Sequence, residues 1–236
     1  MRSVTLEDQA EEVMKNSTEF NFSSGGIAKM LLRDSSYVNL LIKAFGVRKD
    51  TLSGFEVRNS LAAFVRSLTP FSSSFDEYMK GNMKALSAEQ ITGFNLFSGK
   101  AKCATCHFIP IFNGTIPPWL VRSESEIIGV PASPLWKIAV IDTDSGRYRI
   151  NPMAELMYSF KTPTLRNIEK TGPYMHNGVY KTLEEVVEFY SKGGGVGLGI
   201  ELPFQSLPFD SLSLYAKEKK AIVSFMISLT DKDIRY

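Results

Sequence analysis

An all-α fold is what this sequence predicts, on three observations. Apolar residues recur at helical spacing, two capping boxes open such segments, and a single short run reads as a strand. Residues 1–17, MRSVTLEDQAEEVMKNS, are amphipathic and charged where a secretory leader would carry an apolar stretch and a small-residue cleavage site. Residues 54–68 set Phe55, Leu61, Phe64, Val65 and Leu68 close to one helical face. Thr69-Pro70 is expected to end that helix, because a residue before proline is pushed out of the helical region. The serine run 72–74 reads as a boundary or an exposed connection.

Ser87-Ala88-Glu89-Gln90 is a capping box, so the next helix should start near Ala88 and carry Ile91, Phe94 and Phe97 on one side. Gly93 inside it costs roughly 1 kcal/mol against alanine, which points to a close helix crossing as compensation. Residues 110–162 are rich in proline, glycine and aromatics with little period, apart from the strand-like KIAVI at 137–141. A loop that long inside a compact domain is expected to wrap something. Thr182-Leu183-Glu184-Glu185 is the second capping box, opening a helix through Tyr190 that ends at Gly193. Residues 214–229 form the last helix, with Tyr215, Ile222, Met226 and Leu229 on one face. The glycines of 193–199 follow a helix, whereas a nucleotide-binding fingerprint must follow a strand; they are assigned to helix termination and a flexible turn.

The 236 residues suffice for one large or two small domains with a proper core, so small size does not force the chain to use metals or disulfides as staples. The hydrophobic share of 44% and charged share of 22% are those of an ordinary globular protein, and no stretch approaches a membrane span. A net charge of +2 from scattered residues leaves no basic block, so nucleic acid is not an expected partner.

Both cysteines and one of the two histidines fall in KAKCATCHFIPIF, residues 100–112. Cys103-x-x-Cys106-His107 in a chain with no other cysteine is the attachment signature of c-type haem. Two thioethers fix one edge of the porphyrin, and the adjacent histidine is delivered beneath it to bind iron. Structural zinc would need four ligands, and the sequence holds two thiols and two histidines in all, so His176 would have to travel to complete the set. A redox dithiol is expected beside a βαβ pattern, which is not visible. Haem c is attached outside the cytoplasm, so a periplasmic location is expected, with a leader removed or missing from the sequence.

FKTPTLRNIEKTGPYMHNGVYKTLEEVVEFYSKGG (160–194), with SFDEYMKG (74–81), LFSGKAKCATCH (96–107) and DSGRYRI (144–150), closely resembles the bacterial di-haem cytochrome c peroxidase family. That family includes the maturase that completes a tryptophan-derived cofactor in methylamine dehydrogenase. The resemblance implies an all-α cytochrome c-like haem domain over 71–236. Residues 1–70 would be a helical remnant of a second such domain, the peroxidatic one, lacking its haem motif, so a fragment or truncated gene product is expected. It also implies an oxidoreductase in which this part relays electrons from a small donor, a cytochrome or cupredoxin, for reduction of hydrogen peroxide. A mono-haem electron carrier or haem sensor without peroxidase activity is the alternative, and a haem-free protein a third. A homodimer is compatible with the resemblance.

Carried over by residue, Cys103 and Cys106 would hold one covalent haem c and His107 would be the proximal ligand. The distal ligand, methionine in the peroxidases and tyrosine in the maturase, falls at Tyr190, with Met175 as runner-up. Arg166 is a candidate partner of a haem propionate, with a surface or buried salt bridge as the other reading. His176 would stand beside the haem without touching iron. Thr171 and Pro173 match positions whose backbone carbonyls bind calcium between the domains; the asparagine that completes that set belongs to a stretch this sequence does not contain. Glu19, in KNSTEF, matches the acid that moves protons at the peroxidatic haem.

Overall fold

The computed structural model describes residues 3–69, 71–118, 122–208 and 210–232; Pro70, expected to end a helix, lies outside them. The chain divides into two compact units, Met1–Thr69 and Pro70–Tyr236.

Among the described residues the first unit holds four α-helices, α1 (Leu6–Lys15), α2 (Ser24–Leu31), α3 (Ser35–Phe45) and α4 (Gly54–Ser67), and a turn of 3-10 helix at Lys49–Thr51. Each α-helix starts on a side-chain cap, Thr5, Ser23, Asp34 and Ser53, which accepts a backbone N–H left open by the first turn. Glu56 closes a full capping box with Ser53. Met14, Ala28 and Val57 form a small core, and Arg66 pairs with both oxygens of Glu7, at 2.6 and 3.0 Å, to tie α4 to α1. The apolar face expected of α4 is not covered within the structure. Phe55, Leu61, Phe64, Val65 and Leu68 are exposed, Phe64 to 58%, while Glu56, Val57 and Ala62 point inward. Helical spacing identifies which residues share a face, but not whether anything lies against it.

The second unit holds α5 (Ser74–Met79), α6 (Ala88–Ser98), α7 (Leu183–Ser191), the one-turn α8 (Gly194–Gly197) and α9 (Ala216–Ile227). Both expected capping boxes are present, Ser87 with Gln90 and Thr182 with Glu185. The core is aromatic: Phe75, Phe94, Phe97, Phe112 and Phe225 meet mostly edge to face at 5.2 to 5.9 Å, joined by Ile222, Met226 and Leu229. Gly93 explains itself in the α6–α9 crossing, because a Cβ there would lie 1.9 Å from the Ala221 carbonyl oxygen. Tyr215 departs from the expected buried face of α9. It is the N-cap residue, 69% exposed, with Lys100 Nζ 4.9 Å from its ring centre.

Three further expectations are corrected. The serine run follows directly on the division between the units, as the boundary reading expects, but it is no exposed connection: Ser73 is fully buried as the cap of α5, and Ser72 N–H donates to Asp231. KIAVI is not a strand, since Trp136–Ile138 is a turn of 3-10 helix and only Ile141 bridges, to Pro131. The sheet is instead β1 (Ser125–Ile127) against β2 (Ser159–Lys161), antiparallel, with Ser125 opposite Lys161. Three residues per strand are too few for alternation to show in sequence. The glycine run is not a flexible turn but the packed helix α8, where a Cβ on Gly195 would lie 2.5 Å from the Gly129 carbonyl oxygen. No helix among the described residues is long and apolar enough to cross a membrane.

Candidate functional site

Lys102, in left-handed conformation at φ 57°, turns the chain out of the segment that follows α6 into a 3-10 turn over Cys103–Thr105. The carbonyl of Cys103 accepts from the N–H groups of Cys106 and His107, at 3.3 and 3.0 Å, so the three motif residues are locked together. His107 Nδ1 lies 3.1 Å from the Phe112 carbonyl oxygen and 3.2 Å from that of Pro163. Carbonyls only accept, so Nδ1 must carry the ring proton and Nε2 must carry the lone pair. Burial reinforces the neutral form by pushing the imidazole below its ordinary pKa. A neutral imidazole with Nε2 available and Nδ1–H tethered is the form that ligates a metal.

Sequence reasoning missed Phe112 and Pro163 as partners of His107, since they act through backbone carbonyls and leave no mark in residue type. Phe112 is fully buried in the aromatic core at φ 55°, a conformation that costs a bulky residue on the order of 1 kcal/mol or more. Its carbonyl also accepts from Leu165 N–H at 3.0 Å.

Cys103 and Cys106 are free thiols. Burial pushes Cys103 up to about 12; burial and then the charge of Glu126 push Cys106 up to about 11. Thiols so disposed are poor nucleophiles at neutral pH, which tells against a redox dithiol. No group of three or more metal-ligating side chains converges among the described residues, so the zinc reading finds no ligand set there. Tyr190, on the last turn of α7, is half-buried within electrostatic reach of both thiols. Burial first, then Cys103, Cys106, Glu126 and Tyr180, hold its phenol well above the usual range. The structure thus brings Cys103, Cys106, His107 and Tyr190 into one neighbourhood. Free sulfurs, a tethered imidazole with its lone pair in place and a phenol nearby fit a c-type haem.

Arg166 forms a salt bridge, one of its two expected readings. Its guanidinium is buried and committed to protein: Nη1 to Asp76 at 2.6 Å, Nη2 and Nε to the Pro110 carbonyl at 2.8 and 3.2 Å. Phe71 and Phe112 lie 4.8 and 5.5 Å from its carbon. This is the buried salt bridge. His176 has Nε2 3.1 Å from Asp142 Oδ1 and its ring stacked on Phe160 at 3.7 Å, so it holds the 142 loop. Asn177 donates to the other oxygen of Asp142 at 3.1 Å. Met175 sits at φ 70° in the turn before it. Thr171 and Pro173 are exposed, with the Thr171 hydroxyl donating to the Ile168 carbonyl at 3.2 Å. Glu19 is an exposed residue of the first unit that accepts from Asn16 Nδ2 at 2.7 Å.

Comparison with known proteins matches residues 1–84 to the family model described as di-haem cytochrome c peroxidase. The cytochrome-c peroxidase IdrP2 of Pseudomonas sp. (strain SCT) is 33% identical over 195 residues, covering 78% of this chain and 50% of that protein. The methylamine utilization protein MauG of Methylorubrum extorquens is 32% identical over 231 residues, covering 97% of this chain and 59% of that protein. Among solved structures, a MauG-like protein associated with microbial copper homeostasis superposes with a TM-score of 0.78 at 26% identity, over 97% of this chain and 69% of that one. The chain spans about half the length of the curated peroxidases it matches.

Proposed function

The chain belongs to the di-haem cytochrome c peroxidase family, and from that premise we propose that residues 71–236 carry one covalent haem c and relay electrons from a small cytochrome or cupredoxin towards hydrogen peroxide. The observation that carries this reading is the state of His107, whose ring proton is tied to two carbonyls so that Nε2 is ready to ligate. Cys103 and Cys106 would hold the porphyrin covalently and His107 would ligate its iron. When bound, the haem supplies one-electron redox chemistry. Tyr190 is the distal candidate; a tyrosinate there favours the oxidised metal, where methionine would favour the reduced one. Burial keeps the proton on Tyr190 Oη in the free chain, so ligation there requires that proton to leave. Attachment of haem c implies export to the periplasm.

A second reading, a mono-haem carrier, is favoured by one fact: two cysteines allow a single attachment site in this sequence. The test is expression beside a working cytochrome-maturation system. One haem per chain by pyridine haemochrome, with a high-spin or tyrosinate-like paramagnetic signal, is expected. Colourless protein with both thiols free to react defeats the proposal. Peroxide turnover with a small reduced cytochrome as donor separates the relay from the carrier.

A further inference from the structure

We propose that the loop 132–140 is the docking surface for a small acidic redox protein, the donor of the relay proposed above, on which this inference rests. The loop is fixed at its neck and at its middle. At the neck, Ala132 N–H donates to the Val140 carbonyl at 2.8 Å, Asp142 N–H to the Val130 carbonyl at 3.0 Å, and Asn177 Nδ2 to the Pro131 carbonyl at 3.0 Å. At the middle, Ile138 N–H closes a 3-10 turn on the Leu135 carbonyl at 3.2 Å. That turn sets Trp136 against the buried ring of Tyr180, edge to face at 6.3 Å. Leu135, Ile138 and Val140 are left outside, 60%, 70% and 68% exposed. Three large apolar side chains so close in sequence, on backbone already held in place, give up little freedom when a partner covers them.

Charge selects the partner. Residues 131–141, PASPLWKIAVI, contain no acid, and Lys137 stands exposed among the apolar groups. Lys192 Nζ lies 5.4 Å from the Trp136 ring centre, and Trp136, Lys137 and Lys192 share an open cavity whose described lining holds no carboxylate. Asp142 at the neck is engaged by His176 and Asn177, and Glu188 beside Lys192 by both Lys192 and Lys219. An acidic surface with an apolar centre therefore fits here, and a basic one is disfavoured. A route inward makes that partner a redox protein. Behind Trp136 and Tyr180 the rings continue from Tyr180 to Phe189 at 5.4 Å and from Phe189 to Tyr190 at 5.5 Å, ending at the phenol proposed as distal ligand. Rings in contact pass an electron by tunnelling without being oxidised themselves. One electron leaves the donor metal for the haem iron, and no bond forms or breaks.

The experiment reads the same encounter in reverse. Reduced, haem-loaded protein is mixed in a stopped-flow cell with oxidised plastocyanin, an acidic cupredoxin, and separately with a basic mitochondrial cytochrome c and an uncharged quinone. The plastocyanin rate constant should fall as salt rises. At low salt Lys137→Glu should lower it by about tenfold and flatten its salt dependence. Ile138→Ser should lower it by about five- to tenfold at every salt concentration. The quinone rate should be the same in all three proteins, since it needs no docking surface. Plastocyanin rates untouched by both substitutions overturn the proposal, as does a basic cytochrome that reacts faster and slows with salt. So does a concentration-dependent dimer in sedimentation that Ile138→Ser abolishes, because the patch would then cover a second copy. Colourless protein defeats the haem reading instead. Calorimetric titration of that protein with plastocyanin, which Ile138→Ser should weaken by about tenfold, still decides the surface.

Discussion

Replacing Gly93 by alanine tests the packing on which the second unit is built. Alanine is the better helix former by about 1 kcal/mol, so on local grounds α6 should gain. The new methyl, however, would stand 1.9 Å from the Ala221 carbonyl oxygen and 2.8 Å from Phe225 Cβ. Real Cβ contacts essentially never fall under 3.0 Å, so α6 and α9 must separate by about 1.1 Å. The obstacle is a helix carbonyl, which cannot rotate aside. A gap of 0.5–1 Å already forfeits about a quarter to a half of each dispersion contact, and this interface buries Phe97, Ile222, Phe225 and Met226. Overpacking costs about 1–3 kcal/mol and occasionally more, and the widened interface adds to it, so a net loss of about 2–4 kcal/mol is expected. For a chain of this size that lowers Tm by about 5–15 °C. Thermal and urea unfolding followed by far-ultraviolet circular dichroism reads it. Gly25→Ala is the control, with nothing within 4 Å of its Cβ in α2, and should be neutral or stabilising. A Gly93→Ala protein as stable as wild type would refute the close crossing.

Arg166→Ala leaves Asp76 buried without its cation and should cost about 3–5 kcal/mol in urea unfolding, whereas a surface salt bridge would cost under about 1. Burial works against the Asp76 carboxylate, but its hydrogen bonds from Arg166 and Ser73 outweigh burial and hold its pKa below the usual value. Its stabilisation is therefore present above about pH 4 and lost as pH falls through the folded-state pKa; Asp76→Asn should flatten the acid limb of the stability curve there. Gly195→Ala brings a methyl to 2.5 Å from one Gly129 backbone atom and 2.7 Å from another, and should lower Tm although it removes a glycine from a helix. Tyr190→Phe should retain one haem per chain while changing the optical and paramagnetic spectra; identical spectra would exclude the phenol as a ligand.

What could be read in the sequence was whatever is written in local chemistry. Ser87 with Gln90 and Thr182 with Glu185 announce their helices because capping needs those side chains three residues apart. Gly93 announces a crossing because nothing else tolerates one so close. The cysteine motif is named by residue type and spacing, and Tyr190 only by the family resemblance of its segment. Features set by tertiary partners were not readable. The α4 face follows helical spacing yet stays exposed, Arg166 finds Asp76 ninety positions away, and β1 and β2 are too short to alternate. The carbonyls of Phe112 and Pro163 carry no signature, since every residue has one.

The two carbonyls that grip His107 come from opposite ends of the long irregular segment, residue 112 and residue 163. One imidazole therefore acts as the clasp of a fifty-residue loop. Anything that steadies the ring from its far nitrogen also slows the opening of chain it never meets, and anything that loosens the loop lets the ring swing. Hydrogen–deuterium exchange along 113–162 should thus report on the ligand's grip at a distance, tightening as one stretch when that nitrogen is engaged.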